Sequence, residues 1–341
     1  MAQDSPKKLL KTEALAGALR ALLSSHSVYA PAGEAERQAF TKLSPDNLRD
    51  VNLKGLPTLS PKEIVFPRSE TLFGVSLESG EAFQPASEGP IVLFGVRPCD
   101  ARGISNLDQV FLDEEYTDTA YNERRKMMTV ISLACAEPVS AACFCDSMGG
   151  GPDDEEGSDI IFRETKNADV YVISILTEKG KEIESIWEST GLLSPAGNKK
   201  PVDPQPCTLT VAKPSDLSEK LKAAFEDPLW ARFSEACLGC GVCSFICPTC
   251  YCFDIDAETS GDMANSFRCW DCCLFSDYSR MAGGHNPRPT KKERLRQRYL
   301  HKLSWFDERY GRTLCVGCGR CLSKCPTGLD IVSVIEWGGA L

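Results

Sequence analysis

CLGCGVCSFICP occupies Cys237–Pro248 and CVGCGRCLSKCP occupies Cys315–Pro326. Each run holds four cysteines at spacings of x2, x2 and x3, and each closes on a proline. This is the bacterial [4Fe-4S] pattern, in which three closely spaced thiolates take three corners of a cube and the fourth cysteine crosses to the other cube. The crossed rule predicts one cluster on Cys237, Cys240, Cys243 and Cys325, and a second on Cys315, Cys318, Cys321 and Cys247. A loop wrapped around a cube needs conformationally permissive positions, here Gly239, Gly241, Gly317 and Gly319, with backbone N–H groups turned toward sulfur. Structural zinc also uses C-x2-C pairs. Four tetrahedral ligands, however, give no reason for a third Cys at x2 and then x3-Cys-Pro, twice over.

Outward from these motifs, the chain has 341 residues, enough for two domains with separate cores. We place an α/β domain over residues 1–210 and an α-helical, bacterial-ferredoxin-like dicluster domain over 211–341, with a long insertion, 248–314, between the motifs. Lys and Arg number 38 against 48 Asp and Glu, a net charge of −10, which disfavours nucleic acid or an anionic membrane as a broad partner. No stretch approaches the ~18 uninterrupted apolar residues of a membrane helix, and MAQDSPKKLLKT lacks a secretory core, so the expectation is cytoplasmic. Eighteen cysteines in such a compartment require metal binding or redox work.

Leucines from Leu9 to Leu23 predict a helix over residues 7–23. Pro90–Val96 and Met128–Leu133 are continuous apolar runs typical of strands buried on both faces. The first ends in a loop, Arg97-Pro98-Cys99-Asp100, before a helix over 101–111; the second ends at Ala134-Cys135, with Cys143 and Cys145 close behind. Ligands collect at the carboxyl edge of such a sheet, so Cys99, Cys135, Cys143 and Cys145 are candidates for a third [4Fe-4S] cluster, with buried free thiols as the alternative. Residues 160–162 and 170–176 read as paired strands, 179–188 as a helix, and 216–236 as one or two helices after a proline-marked connector near Pro206–Pro214. Cys207 reads as an isolated thiol. Cys250, Cys252, Cys269, Cys272 and Cys273 have spacings that permit a metal site, but we read them as packing.

Arg288 to Lys302 holds seven bases against Glu293. Thr290 caps a predicted helix whose apolar stripe is Leu295, Tyr299, Leu303 and Phe306, leaving bases on the other faces. The local sign opposes the net charge, so this helix reads as a docking face for a redox partner, some bases also tuning the nearby cluster. No histidine has a spacing that suggests acid–base work, and no catalytic residue is assigned. GGGP at 149–152 lacks the strand–helix context of a dinucleotide fingerprint.

The segments CLGCGVCSFICPTCYCFDI, RCWDCCLF, AGGHNPRPT, RLRQRYLHK and CVGCGRCLSKCP resemble the beta subunits of cytoplasmic sulfhydrogenases. They are similar also to the A subunit of anaerobic sulfite reductase and to the iron-sulfur subunit of flavin oxidoreductases that work with heterodisulfide reductase. LFGVRPCDARGI, the Leu107-Asp108 pair, Glu123–Arg125 and CFCDSMGGGP extend the resemblance over most of residues 60–335; Cys269 and Cys272 depart from the family pattern. The resemblance implies an electron-transfer subunit between a flavin-bearing, NAD(P)H-reactive subunit and a hydrogenase, sulfite reductase or heterodisulfide reductase partner. The flavin is then expected on the partner. The alternative is a catalytic subunit binding its own flavin or substrate near Arg97 and Arg102.

Overall fold

The computed structural model describes residues 7–34, 37–85, 89–211 and 217–341. Its strands are β1 (Lys8–Lys11), β2 (Ser27–Ala32), β3 (Ala39–Lys42), β4 (Ser69–Ser76), β5 (Ala82–Phe83), β6 (Ile91–Val96), β7 (Met128–Leu133), β8 (Ile160–Glu164), β9 (Val170–Ile175), β10 (Leu193–Pro195), β11 (Phe253–Ser260) and β12 (Met263–Trp270). One sheet runs β10-β1-β9-β8-β7-β6-β2-β3, parallel through β8-β7-β6-β2 and antiparallel outside. All six residues of β6 and of β7 are buried. Val92 and Phe94 face a core with Leu19, Leu22 and Trp187, while Ile91 and Leu93 face another with Ile104, Leu107 and Phe111. That two-sided burial is why both strands lack polar alternation.

The helix predicted over 7–23 is only partly helical. Lys8–Lys11 is a strand, and the α-helix runs Leu15–Leu22. Leu9 and Leu10 suit either structure, and the open edges of β9 and β10 decide, because β1 bridges them by pairing with both. The helix after β6 begins at Pro98, not at 101, so Cys99 lies in its first turn; proline suits that position because its missing N–H costs no helical bond there. Two helices, Leu217–Ala223 and Leu229–Glu235, stand where one or two were expected. Part of the Pro206–Pro214 connector, and Asp216, lie outside the described residues.

The insertion 248–314 corrects the α-helical expectation for the C-terminal half. Its residues 253–270 form a hairpin, and β12 pairs antiparallel with β4 to give the sheet β11-β12-β4-β5. Arg268, 1% exposed, anchors this junction: Nε donates to Glu70 at 2.8 Å and Nη1 to Asp118 at 2.5 Å, with the guanidinium 4.9 Å from the Phe66 ring centroid. A last core joins Leu295, Tyr299, Leu303, Trp230 and Val334 to Phe144 and Met148 from the N-terminal half.

Arg268→Met would leave Glu70 and Asp118 without their buried counter-charge. Breaking one side of such a pair costs about 3–5 kcal/mol; because Arg124 also reaches Glu70, at 2.7 Å, we expect the low end, about 3 kcal/mol. A urea midpoint unchanged from the parent would show that the hairpin junction adds nothing to stability.

Candidate iron–sulfur centres

Gly239, Gly241, Gly317 and Gly319 all have positive φ, from 66° to 75°. Gly241 and Gly319 start the short helices Val242–Phe245 and Arg320–Lys324, and Gly239 N–H points at Cys237 Sγ across 3.4 Å. Space forbids a side chain as firmly as the dihedral does. A Cβ on Gly319 would stand 2.3 Å from the Ala142 carbonyl oxygen, and one on Gly317 would stand 2.6 Å from that of Phe144. The second loop is thus pressed onto the segment carrying Cys143 and Cys145.

The two motifs interleave. Cys237, Cys240 and Cys243 line a pocket of about 560 Å³ together with Cys321 and Cys325 of the second motif. Leu238, Val242, Leu295 and Ile331 give it apolar walls. Cys247 lies instead within electrostatic reach of Cys315, Cys318 and Cys321. Among the described residues no three His, Cys, Asp or Glu side chains converge on a point sized for one metal ion. The thiols ring wider spaces, a donor set that fits a cube.

Charge confirms the fit. The capping box at Thr290 and Glu293 forms, and one continuous helical rod follows: Lys291–Leu300, a π-helical turn His301–Trp305, and Phe306–Tyr310. Leu295, Tyr299, Leu303 and Phe306 are buried as expected, but the docking face is overturned for Arg296, Arg298 and Lys302, which are buried as well. Arg296 lies over the Phe225 ring at 3.6 Å. Arg298 donates to Ser244 Oγ, the Cys243 carbonyl and Cys250 Sγ; Lys302 Nζ lies 3.3 Å from Cys247 Sγ. Burial works against the charge on Lys302, and the thiols of Cys247 and Cys250 outweigh it and raise its pKa. Burial, then Lys302 and Arg298, push His301 down to about 4, so its ring is neutral at pH 7.

At the sheet's carboxyl edge, Cys99, Cys135, Cys143 and Cys145 line one pocket of about 360 Å³, as the strand reading placed them. Two further sulfurs join them, Cys318 and Cys207. Cys207 is the residue that sequence reasoning missed. The connector doubles back so that Gln205 N–H donates to the Ala136 carbonyl, leaving Cys207 Sγ 3.6 Å from Cys145 Sγ; no spacing signal announces that return. Burial pushes the Cys143 thiol up to about 11 and raises Cys99 and Cys135 too, Arg97 offsetting part of the rise at Cys135. Such thiols ionise when a cationic centre takes the place of their protons.

Arg97, named for the catalytic alternative, is occupied by the carbonyls of Leu53, Gly55 and Ala134, and Arg102 stands between Asp154 and Glu156. Among the described residues no helix is long and apolar enough to cross a membrane.

The family description "4Fe-4S dicluster domain" matches residues 236–329, spanning both cysteine motifs and the hairpin between them. Sulfhydrogenase 2 subunit beta of Pyrococcus furiosus is 30% identical over 318 residues, covering 91% of each chain. Likeness over that length takes in the N-terminal sheet and its cysteine edge as well as the cluster motifs. The chain is therefore an iron–sulfur protein belonging to the family of sulfhydrogenase beta subunits.

Proposed function

We propose that this chain is the electron-relay subunit of a multi-subunit oxidoreductase, joining a flavin- and NAD(P)H-reactive subunit to a hydrogenase-type partner. The carrying observation is that cysteines of the second motif line both neighbouring pockets. Cys318, of the second motif, also lines the N-terminal pocket, and Cys321 also lines the pocket of the first motif. The ligand sets supported are Cys237, Cys240, Cys243 and Cys325; Cys315, Cys318, Cys321 and Cys247; and Cys99, Cys135, Cys143 and Cys145. Bound [4Fe-4S] cubes supply one-electron exchange, which a flavin partner needs in order to divide a hydride's electron pair.

The protein's own work is spacing, insulation and bias. Gly317 and Gly319 let the second loop approach the N-terminal thiols, and Leu295 and Ile331 give the first pocket a buried apolar side. Buried Lys302 and Arg298 place positive charge beside the thiolates, favouring the more negative state of whatever they hold. Cys240 is exposed and its neighbour Leu238 is 64% exposed, so the first motif meets the surface and is the natural exit to a partner. Among known sulfhydrogenase-like arrangements, the P. furiosus relative is the reason to favour hydrogenase over sulfite reductase or heterodisulfide reductase.

Anaerobically prepared protein should contain at least about eight iron and eight acid-labile sulfide per chain from the duplicated motif, and about twelve if the N-terminal set is filled. Cys143→Ala/Cys145→Ala should then remove about four iron. Stoichiometric zinc without sulfide would refute the cluster assignment, and unchanged iron in the double variant would return the N-terminal thiols to packing.

Lys302→Met should shift one cluster's reduction potential to more negative values in a spectroscopic redox titration, because a cation that stabilises the reduced state is gone. Identical titrations would deny the charge any tuning role. The isolated chain should neither bind nor oxidise NAD(P)H, yet accept electrons from a flavin subunit or a low-potential dye. Reduction by NADH in flavin-free protein would instead favour the catalytic alternative.

A further inference from the structure

The hairpin β11–β12 closes with Phe253 opposite Trp270, and Asp271 N–H donates to the Cys252 carbonyl at 2.9 Å. Cys252 directly precedes the first strand, and Cys272 and Cys273 follow shortly after the second. Antiparallel pairing therefore brings these sulfurs to one place, although twenty residues separate them in sequence on a count from 252 to 272. Cys250, Cys252 and Cys273 line one small pocket with Arg298, His301 and Lys302. The π-helical turn widens the rod here and presents both His301 and Lys302 to the pocket.

Three cations converge on this place, each buried: Lys62, Arg298 and Lys302. Lys62 Nζ donates to the Cys250 carbonyl at 2.8 Å and lies 3.8 Å from the Trp270 ring centroid. The polar contacts of all three are to carbonyls, hydroxyls and sulfurs, and none reaches a carboxylate among the described residues. Desolvated cations persist where something anionic compensates them. Cys247 answers Lys302 from the second motif, but Cys250, Cys252 and Cys273 belong to neither motif and have no part in the relay described above.

We infer that Cys250, Cys252 and Cys273 hold a further iron–sulfur centre at the foot of the hairpin, beside the second motif. Soft thiolate donors select iron–sulfur units or zinc. Each new bond from iron to a cysteine sulfur replaces an S–H bond and sends its proton to solvent; ferrous and ferric iron in equal amounts, with sulfide, supply the core without any net change of oxidation state. The placement makes this centre a branch off the second cluster through the adjacent Cys247 and Cys250, so the second cluster stands at a junction of the relay. It also gives the hairpin a purpose that the two ferredoxin-type motifs do not require. The inference departs from the packing reading for Cys250, Cys252 and Cys273 and leaves it in place for Cys269 and Cys272.

The test uses the full chain, loaded anaerobically with ferrous and ferric iron in equal amounts and with sulfide, and counts iron and acid-labile sulfide per chain. In the Cys143→Ala/Cys145→Ala/Cys207→Ala chain, where the N-terminal pocket keeps only Cys99 and Cys135 besides Cys318 of the second motif and the hairpin foot is intact, we expect about twelve of each; about eight would overturn the inference. This count is independent of whether the N-terminal set ever fills. Cys252→Ser/Cys273→Ser should lose about four of each from the parent's total, while Cys269→Ser, on β12 outside the pocket, should lose none. Equal loss in both variants, zinc in the place of iron, or a Cys252–Cys273 disulfide in fully loaded protein would each refute it.

Discussion

Arg320 and Asp100 form a two-pronged pair at 2.6 and 2.8 Å, with Asp100 wholly buried and Arg320 3% exposed. Arg320 directly precedes Cys321, and Asp100 directly follows Cys99. Arg320 also donates through Nε to the Pro57 carbonyl at 2.8 Å, so its fork is fixed on three sides. A buried pair is weak support for net stability, since desolvation offsets much of the attraction, but losing one member strands a charge at about 3–5 kcal/mol. Its value here is registration. It holds the second cysteine loop against the carboxyl edge of the sheet, where Gly317 and Gly319 have no room for a side chain.

From that registration follows the place of Cys318 among the N-terminal thiols. Had the second loop been displaced by one residue, Cys318 would no longer face the thiols of Cys99, Cys135, Cys143 and Cys145, and the N-terminal site would be separated from the motif pair. The same close fit explains why the last hydrophobic core draws Phe144 and Met148 into the C-terminal half. Two halves distinct in sequence signature are joined through a core, an ion pair and a shared sheet.

Charge balance is the second theme. The chain is acidic overall, yet its interior around Cys243, Cys247 and Cys250 holds Arg298, Lys302 and Lys62 without carboxylates. Burial pushes Lys62 down to about 8 against the upward pull of the Cys250 and Cys247 thiols, a cation held only weakly until more negative charge is supplied nearby. A protein that folds basic side chains inward against sulfur is arranged for anionic centres, and Arg298 and Lys302 serve that interior, not a partner's surface.

The amino-acid sequence by itself determined the local features. Cysteine spacing with interposed glycines is a property of a few consecutive residues, so the two cluster loops and their positive-φ glycines were legible before any fold. So were β6 and β7, whose unbroken apolar runs have one physical explanation, and the Thr290 capping box, which needs only four residues. Tertiary structure decided whatever depended on distant partners. Lys8–Lys11 became a strand because two open edges awaited it; Cys207 reached Cys145 because a connector turned back; and residues 253–270 became a hairpin docked on β4. Alternation in that hairpin, with Gly261-Asp262 at its tip, was a signal present in the sequence, but its pairing with β4 was not. The inward turn of Arg298 and Lys302 was likewise undecidable from charge alone, because a run of bases has the same letters whether it faces water or sulfur.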